Sequence, residues 1–284
     1  MVKGTYQFKN SLPFVPGIEA CGIIIEEKCR KSFLIGKKVI VSRKNGCFAE
    51  ELVAQLDDVI IINKNIKSYI AASFYISYLT AYITLMEIAK IKINQTILIT
   101  GASGGVGNAM VYISKKIGMK VFAVCSNRNK AKIVDQLGAD YCLMENDDIK
   151  KKLDIFSGSK KGIDVIIDIN GLQKKQNLLK CLKWRGKYLI IGFVDGNITN
   201  IRTNYILMKS LRVYGVRAGE YLRKNEKKRT IITKNLKKLL LEKNNIYNGY
   251  TIFNFGDLKK GLNLMKSRQS SGKIVVKTKY YEEV

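Results

Sequence analysis

From residue 96 onward the chain alternates short apolar runs with stretches of helical period, and no other feature restricts its fold as strongly. Thr96 to Thr100 reads as a buried strand. Residues 104–117, GGVGNAMVYISKKI, place Val106, Met110, Val111, Ile113 and Ile117 at helical spacing, with Gly118 where a C-terminal cap belongs. Val121 to Cys125 is the next strand, followed by helix signals from 130 to 137 and a strand at Ile163 to Ile169. A helix from about 172 to 183, a strand at Lys187 to Gly192 and a strand at Leu211 to Val216 complete the series. Such alternation needs right-handed crossovers, so the expected fold class is α/β with a doubly wound parallel sheet.

The loop between the first strand and the first helix, ITGASGGVG at 99–107, satisfies three signatures at once. Gly101-x-Ser103-x-Gly105 has the form of a nucleophile elbow, in which a strand-to-helix turn lifts a serine towards its base. Thr100-Gly101-x-x-x-Gly105-x-Gly107 has the form of the cofactor loop of short-chain dehydrogenases. Gly101, Gly104 and Gly107 fall at every third position, the glycine pattern of a further kind of dinucleotide loop, although the strict G-x-G-x-x-G string is absent. Composition removes the first reading. The 284 residues include no histidine, so the serine has no imidazole base and only a lysine could replace it. The second fails on layout, because about a hundred residues precede the loop. Its Tyr-x-x-x-Lys pair does occur, at Tyr112/Lys116 and Tyr205/Lys209, but the first lies on the helix that the loop opens and the second stands too near the loop.

The absence of histidine also removes most catalytic zinc sites. The six cysteines, at 21, 29, 47, 125, 142 and 181, form no C-x-x-C pair, so no metal is expected and the thiols read as reduced residues of a cytoplasmic protein. A formal charge of +27 suggests nucleic acid, but Lys and Arg are spread through nearly every segment, which reads as solvated helix faces. The KNEKKR run at 224–229 reads as a solvated loop or helix start. No apolar segment of a signal peptide follows MVKGTYQ. Ser68 to Met86 carries no charge over 19 residues, yet its many Ser, Thr and Tyr side chains point to a buried amphipathic helix rather than a membrane span. With 46% apolar residues the chain can build a sizeable core.

In a doubly wound sheet the first glycine turn faces a helix amino terminus, where free N–H groups and the helix dipole attract a pyrophosphate. Sites that prefer NAD carry an acid about 20 residues on, which accepts from the adenine-ribose hydroxyls. Here VFAVC at 121–125 runs into Ser126-Asn127-Arg128-Asn129-Lys130 without one. A hydroxyl, an arginine and a lysine at a strand end suit a 2′-phosphate, so NADPH is favoured over NADH. Arg128 suits a bystander on a lysine-rich surface equally well.

With loop, strand and preceding segment in place, the chain resembles the medium-chain dehydrogenase/reductase family, in its zinc-independent quinone oxidoreductase, or zeta-crystallin-like, branch. The matching pieces run in order: GTYQFKNSLPFVPGIEACGIII at 4–25, IGKKVIV at 35–41, GCFAEELV at 46–53 and SYLTAYITL at 77–85. ILITGASGGVGNAMVYISKKIGMKVFAV, QLGADY, GIDVIIDING, RGKYLIIGF and SRQSSGKIVV follow. The resemblance implies a GroES-like catalytic domain at 1–74, a Rossmann domain at 75–225 and a return to the catalytic domain at 226–284. It implies an NADPH-dependent reductase of quinones or other conjugated carbonyl compounds, with enoyl-thioester reduction or non-catalytic NADPH binding as alternatives. It also implies a small-molecule substrate and a homodimer.

Carried over residue by residue, the resemblance puts Thr80 near the nicotinamide and Ser103, Gly104, Gly105 and Val106 against the pyrophosphate. Ser126 and Lys130 meet the 2′-phosphate, Gly192 and Phe193 flank the nicotinamide, and Arg268, Gly272 and Lys273 form a carboxy-terminal cofactor clamp. Tyr6 matches a tyrosine at the substrate mouth, where it would position the substrate. Three departures stand out. Roughly the first fifty residues of the family pattern, with two strands and an Asn-x-x-Asp segment, have no counterpart before Gly4, so the catalytic domain is expected to be truncated. Glu145 stands where many relatives carry a tyrosine near the 2′-phosphate, and Asn170 replaces the usual small apolar residue before Gly171.

Overall fold

The computed structural model describes residues 11–28, 32–156, 162–172, 177–194, 196, 198, 200–242 and 249–280. These fall into two compact units, one running to Ile76 and resuming at Lys234, the other built from Ser77 to Thr233.

The first unit is rich in strands. β1 (Glu19–Ile23), β2 (Lys38–Ser42) and β3 (Val59–Ile61) form an antiparallel sheet, whose buried Val39 and Val41 pack with Cys47. Nearer the carboxyl terminus, β10 (Tyr250–Asn254) and β11 (Lys273–Lys277) pair in parallel across α8 (Leu258–Lys266).

The second unit is the doubly wound sheet that the alternation predicts. Its six parallel strands are β4 (Thr96–Thr100), β5 (Lys120–Cys125), β6 (Tyr141–Met144), β7 (Ile163–Asp168), β8 (Leu182–Ile190) and β9 (Arg212–Gly215). They lie in the order β6-β5-β4-β7-β8-β9. Chain order therefore reverses between β4 and β7, and in sheets of this kind the ligand crevice lies there, at the carboxyl ends of the strands. The crossovers carry α2 (Gly105–Lys116), α3 (Arg128–Gln136), α4 (Ile149–Phe156) and α5 (Thr203–Lys209), while α6 (Ala218–Lys224) and α7 (Glu226–Leu241) follow the sheet. Leu98, Phe122, Val124, Leu143, Ile166 and Tyr188 form the centre of its core.

Several elements differ from the sequence reading. β6 and α4 were hidden in a segment without a clear period; an aromatic stack holds them, with Tyr141 4.9 Å from Phe122 and 4.7 Å from Phe156. In place of the helix expected from about 172 to 183, the described residues there have 3₁₀ geometry at Leu172 and Leu178–Cys181 and then enter β8. Leu178, Leu179, Cys181 and Leu182 are all buried, and Leu182 already pairs with Ile163 as the first residue of β8, so the sheet takes the end of this segment. The strand expected at Lys187 to Gly192 begins earlier and ends at Ile190, which leaves Gly192 in the following loop.

The apolar helix α1 (Ser68–Tyr82) runs on into a π-helical stretch, Ile83–Ala89. Together they are long and apolar enough to cross a membrane by length and composition. Besides Phe74, Tyr75, Leu79 and Ala81, the polar Ser73, Ser77 and Thr84 are buried, so burial extends beyond the one apolar face of an amphipathic helix.

Candidate dinucleotide site

The glycine turn is built by close packing. Gly101 follows β4 with φ +59°, a conformation that favours glycine. A β-carbon on Gly107 would lie 2.3 Å from the Gly101 carbonyl oxygen, so the helix start can press against the turn only without a side chain. Gly104 caps α2 from an extended conformation, and no side chain caps the helix. Gly104 is exposed, and a β-carbon there would meet only the Gly101 oxygen, at 3.4 Å. The first N–H groups of α2 thus begin beside an open glycine at the point where chain order reverses, an arrangement that fits an anion. Ser103 is buried, and its carbonyl accepts from Asn108 Nδ2 at 3.1 Å.

A carboxylate braces the turn from below. Asp168, the last residue of β7, is 1% exposed and accepts from the Thr100 hydroxyl at 2.8 Å, from the N–H groups of Gly171 and Leu172 at 3.1 Å, and from the Tyr188 hydroxyl at 2.6 Å. Burial, and then the charge of Asp168, hold the Tyr188 hydroxyl far above its ordinary pKa, so it remains a donor. Thr100 in turn accepts from the Ile169 N–H at 2.9 Å. The network ties the ends of β4, β7 and β8 together. Sequence reasoning overlooked it, although an aspartate closing the apolar run IDVIID was its signal.

The end of β5 supplies the next group. Ser126 is exposed, and the Asn127 side chain caps α3 by accepting from the Lys130 N–H at 3.0 Å. Lys130 itself is buried to 8% exposure, more deeply than its place in a basic segment suggested. Burial pushes the neighbouring Cys125 thiol up to about 12; Cys142 and Glu145 add to the rise and Lys130 opposes it, so the thiol is not a nucleophile.

Gly192 and Phe193 follow β8 at the same end of the sheet. The Ile191 N–H donates to the Asp168 carbonyl at 2.9 Å, and a β-carbon on Gly192 would stand 3.6 Å from the Ile169 oxygen. Phe193 is 39% exposed. Thr80 lies on α1, half-buried, two residues beyond Tyr78, whose ring meets Tyr112 of α2 at 6.1 Å. The structure therefore gathers the glycine turn, Ser126, Lys130, Gly192 and Phe193 at the carboxyl ends of one sheet. Arg268, Gly272 and Lys273 belong to the other unit. There Arg268 and Gly272 have φ of +58° and +70°, and the Lys273 ammonium pairs with Glu19. Tyr6 lies outside the described residues.

A zinc-binding dehydrogenase family model matches residues 105–234. The chain is 32% identical over 284 residues to a quinone oxidoreductase-like protein 2 homolog of Nematostella vectensis, covering 97% of this chain and 76% of that protein. The chain belongs to the medium-chain dehydrogenase/reductase family, among its quinone oxidoreductase-like members. A rat quinone oxidoreductase-like protein 2 is 31% identical, and the chain spans 63% of that protein's length. In fold, this medium-chain dehydrogenase/reductase resembles the Escherichia coli quinone oxidoreductase solved with NADPH, with a TM-score of 0.85, 23% identity and coverage of 96% of this chain and 85% of that one. It also resembles the JamJ enoyl reductase, at TM-score 0.79, 22% identity and coverage of 94% and 80%. The family model's name refers to zinc, but among the described residues no three His, Cys, Asp or Glu side chains converge.

Proposed function

We propose that this chain binds a nicotinamide dinucleotide, NADPH in preference to NADH, and reduces a quinone or another conjugated carbonyl compound without a metal. The observation that carries this reading is the uncapped start of α2 beside the exposed Gly104, at the point where strand order reverses. The NADPH-bound E. coli relative in fold supports it. When bound, the nicotinamide supplies the hydride.

The chain's own part is orientation and exclusion of water. Backbone N–H groups of residues 103–106 hold the pyrophosphate, and Ser126 and Lys130 receive the 2′-phosphate. Thr80, Gly192 and Phe193 flank the nicotinamide, and the family resemblance assigns Arg268, Gly272 and Lys273 a part in holding the cofactor. Tyr6 positions the substrate. In a chain without histidine, the proton that follows hydride comes from water, a ribose hydroxyl or Tyr6.

Similarity in fold to an enoyl reductase supports a second reading, reduction of an enoyl thioester by the same chemistry. Steady-state assays of the purified chain with NADPH and either quinones or enoyl thioesters separate the two. NADPH binding without turnover of either would leave a non-catalytic binding protein. We further propose a two-fold dimer through β9, the outer strand of the sheet, paired with its own copy.

A further inference from the structure

Two of the departures from the family pattern meet in space. Asn170 follows β7 on one side of β4, and Glu145 follows β6 on the other side, beyond β5. The Asn170 amide nevertheless donates through Nδ2 to Glu145 Oε1 at 2.9 Å. Its Oδ1 lies over the glycine turn, 2.5 Å from where a β-carbon of Gly101 would stand. One amide therefore joins the phosphate turn to the carboxylate.

The backbone of Glu145 is also fixed. Its N–H donates to the Cys125 carbonyl at 3.0 Å, which places it beside the end of β5, one residue before Ser126. Glu145 and Lys130 act on the Cys125 thiol with opposite sign, which puts both charges within electrostatic range of that strand end. The carboxylate is thus half-buried and held from two sides, unlike a solvated surface glutamate.

We infer that Glu145, positioned by Asn170, sets cofactor discrimination by opposing a 2′-phosphate and accepting from a 2′-hydroxyl, so that the site takes NADH alongside NADPH. This rests on the dinucleotide reading above. A phosphate monoester brings close to two negative charges, and the single charge of Lys130 is offset by Glu145. A ribose hydroxyl, in contrast, gains a charge-assisted hydrogen bond from a carboxylate.

The test is titration of purified wild-type chain, Glu145→Gln and Asn170→Ala with NADPH and with NADH, each followed by calorimetry. Wild type should bind both, with dissociation constants within about tenfold of each other, and Glu145→Gln should tighten NADPH by about tenfold while NADH stays level or weakens. Because the effect is electrostatic, the gap between wild type and Glu145→Gln should narrow in 0.5 M salt. Asn170→Ala, which keeps the charge but removes its tether, should weaken NADH several-fold. If wild type binds both cofactors and Glu145→Gln leaves their ratio within twofold, this proposal fails and the dinucleotide reading stands. If wild type binds neither, both fail. Should Glu145→Gln unfold, Glu145→Ala is read against the same ratio.

Discussion

Thr100 and Asp168, the last residues of two neighbouring parallel strands, share a 2.8 Å hydrogen bond in the dry interior directly below the glycine turn. The partners of that carboxylate, Thr100, Gly171, Leu172 and Tyr188, come from the ends of β4 and β7 and from β8, so the network fixes how these strand ends stand relative to one another. Tyr188→Phe removes the donor to Oδ2 and leaves a buried carboxylate oxygen short of a partner. The expected loss is ~1–3 kcal/mol, read as a lower Tm. An unchanged Tm would show that the hydroxyl contributes nothing.

The two outer glycines of the α2 start should separate fold from binding. Gly107→Ala forces a β-carbon against the Gly101 oxygen and should destabilise the protein. Gly104→Val meets little protein and should leave Tm nearly unchanged while abolishing cofactor binding, because its side chain stands where a phosphate must approach. Ser103→Ala should retain most binding, and labelling of Ser103 by a serine-hydrolase probe would overturn the phosphate-turn reading.

Lys130→Ala is expected to weaken NADPH by roughly tenfold or more and NADH by much less, since one positive charge beside the 2′-phosphate is lost. Parallel titrations of the two cofactors measure it, and an equal effect on both would remove the assignment.

Acid stability carries the mark of Asp164. Burial raises its carboxyl, but hydrogen bonds from the Lys183 ammonium at 2.8 Å and from the N–H and hydroxyl of Thr96 at 2.7 Å outweigh that and hold it below the ordinary 3.8. A depressed folded value means that the stabilisation is fully present above about pH 3.8 and is lost as pH falls through the lower folded value. Asp164→Asn should flatten the stability profile in that acid window and lower Tm at pH 7. An acid profile identical to wild type would exclude this group.

Val213→Pro tests assembly. Val213 sits in the middle of the outer strand, paired with Tyr188 of β8. A proline there removes a ladder donor and should convert a dimer into a monomer in light scattering. A wild-type chain that is monomeric at micromolar concentration and moderate salt would defeat the β9 pairing.

The strands that build the crevice were legible because they are continuous apolar runs bounded by turns. TILIT, VFAVC and the run from Ile163 each declare a buried parallel strand, and the glycine loop declares which of them comes first. β6 was not legible: four residues with Tyr141 and Cys142 half-buried carry no period, and what adds to their parallel pairing with β5 is a ring stack with residues distant in sequence. The first half of β8 misled because KWRGK, at 183–187, looks like a break, while Arg185 takes φ +60° and the strand passes through a register shift opposite Ile163 and Val165. In the site, residue types at strand ends could be read from order alone. The Asn170 to Glu145 link could not, because it joins positions 25 residues apart across two intervening strands.

The π-helical stretch Ile83–Ala89 bears on how this chain tolerates insertions and deletions. It is anchored near both ends: the Thr84 hydroxyl donates to the Thr80 carbonyl at 2.6 Å, Glu87 is held by the Tyr221 hydroxyl at 2.7 Å and by Lys228, and Ala89 accepts from Lys187. A wide turn between fixed ends stores a residue that an α-helix would have no room for. Removing one residue here would tighten the coil locally and leave Thr80 facing as it does. The same deletion earlier in α1 would swing every following side chain by about 100° and carry Thr80 to another face. A one-residue deletion in this helix is therefore expected to be tolerated within Ile83–Ala89, downstream of the position that the nicotinamide assignment depends on, and not before it.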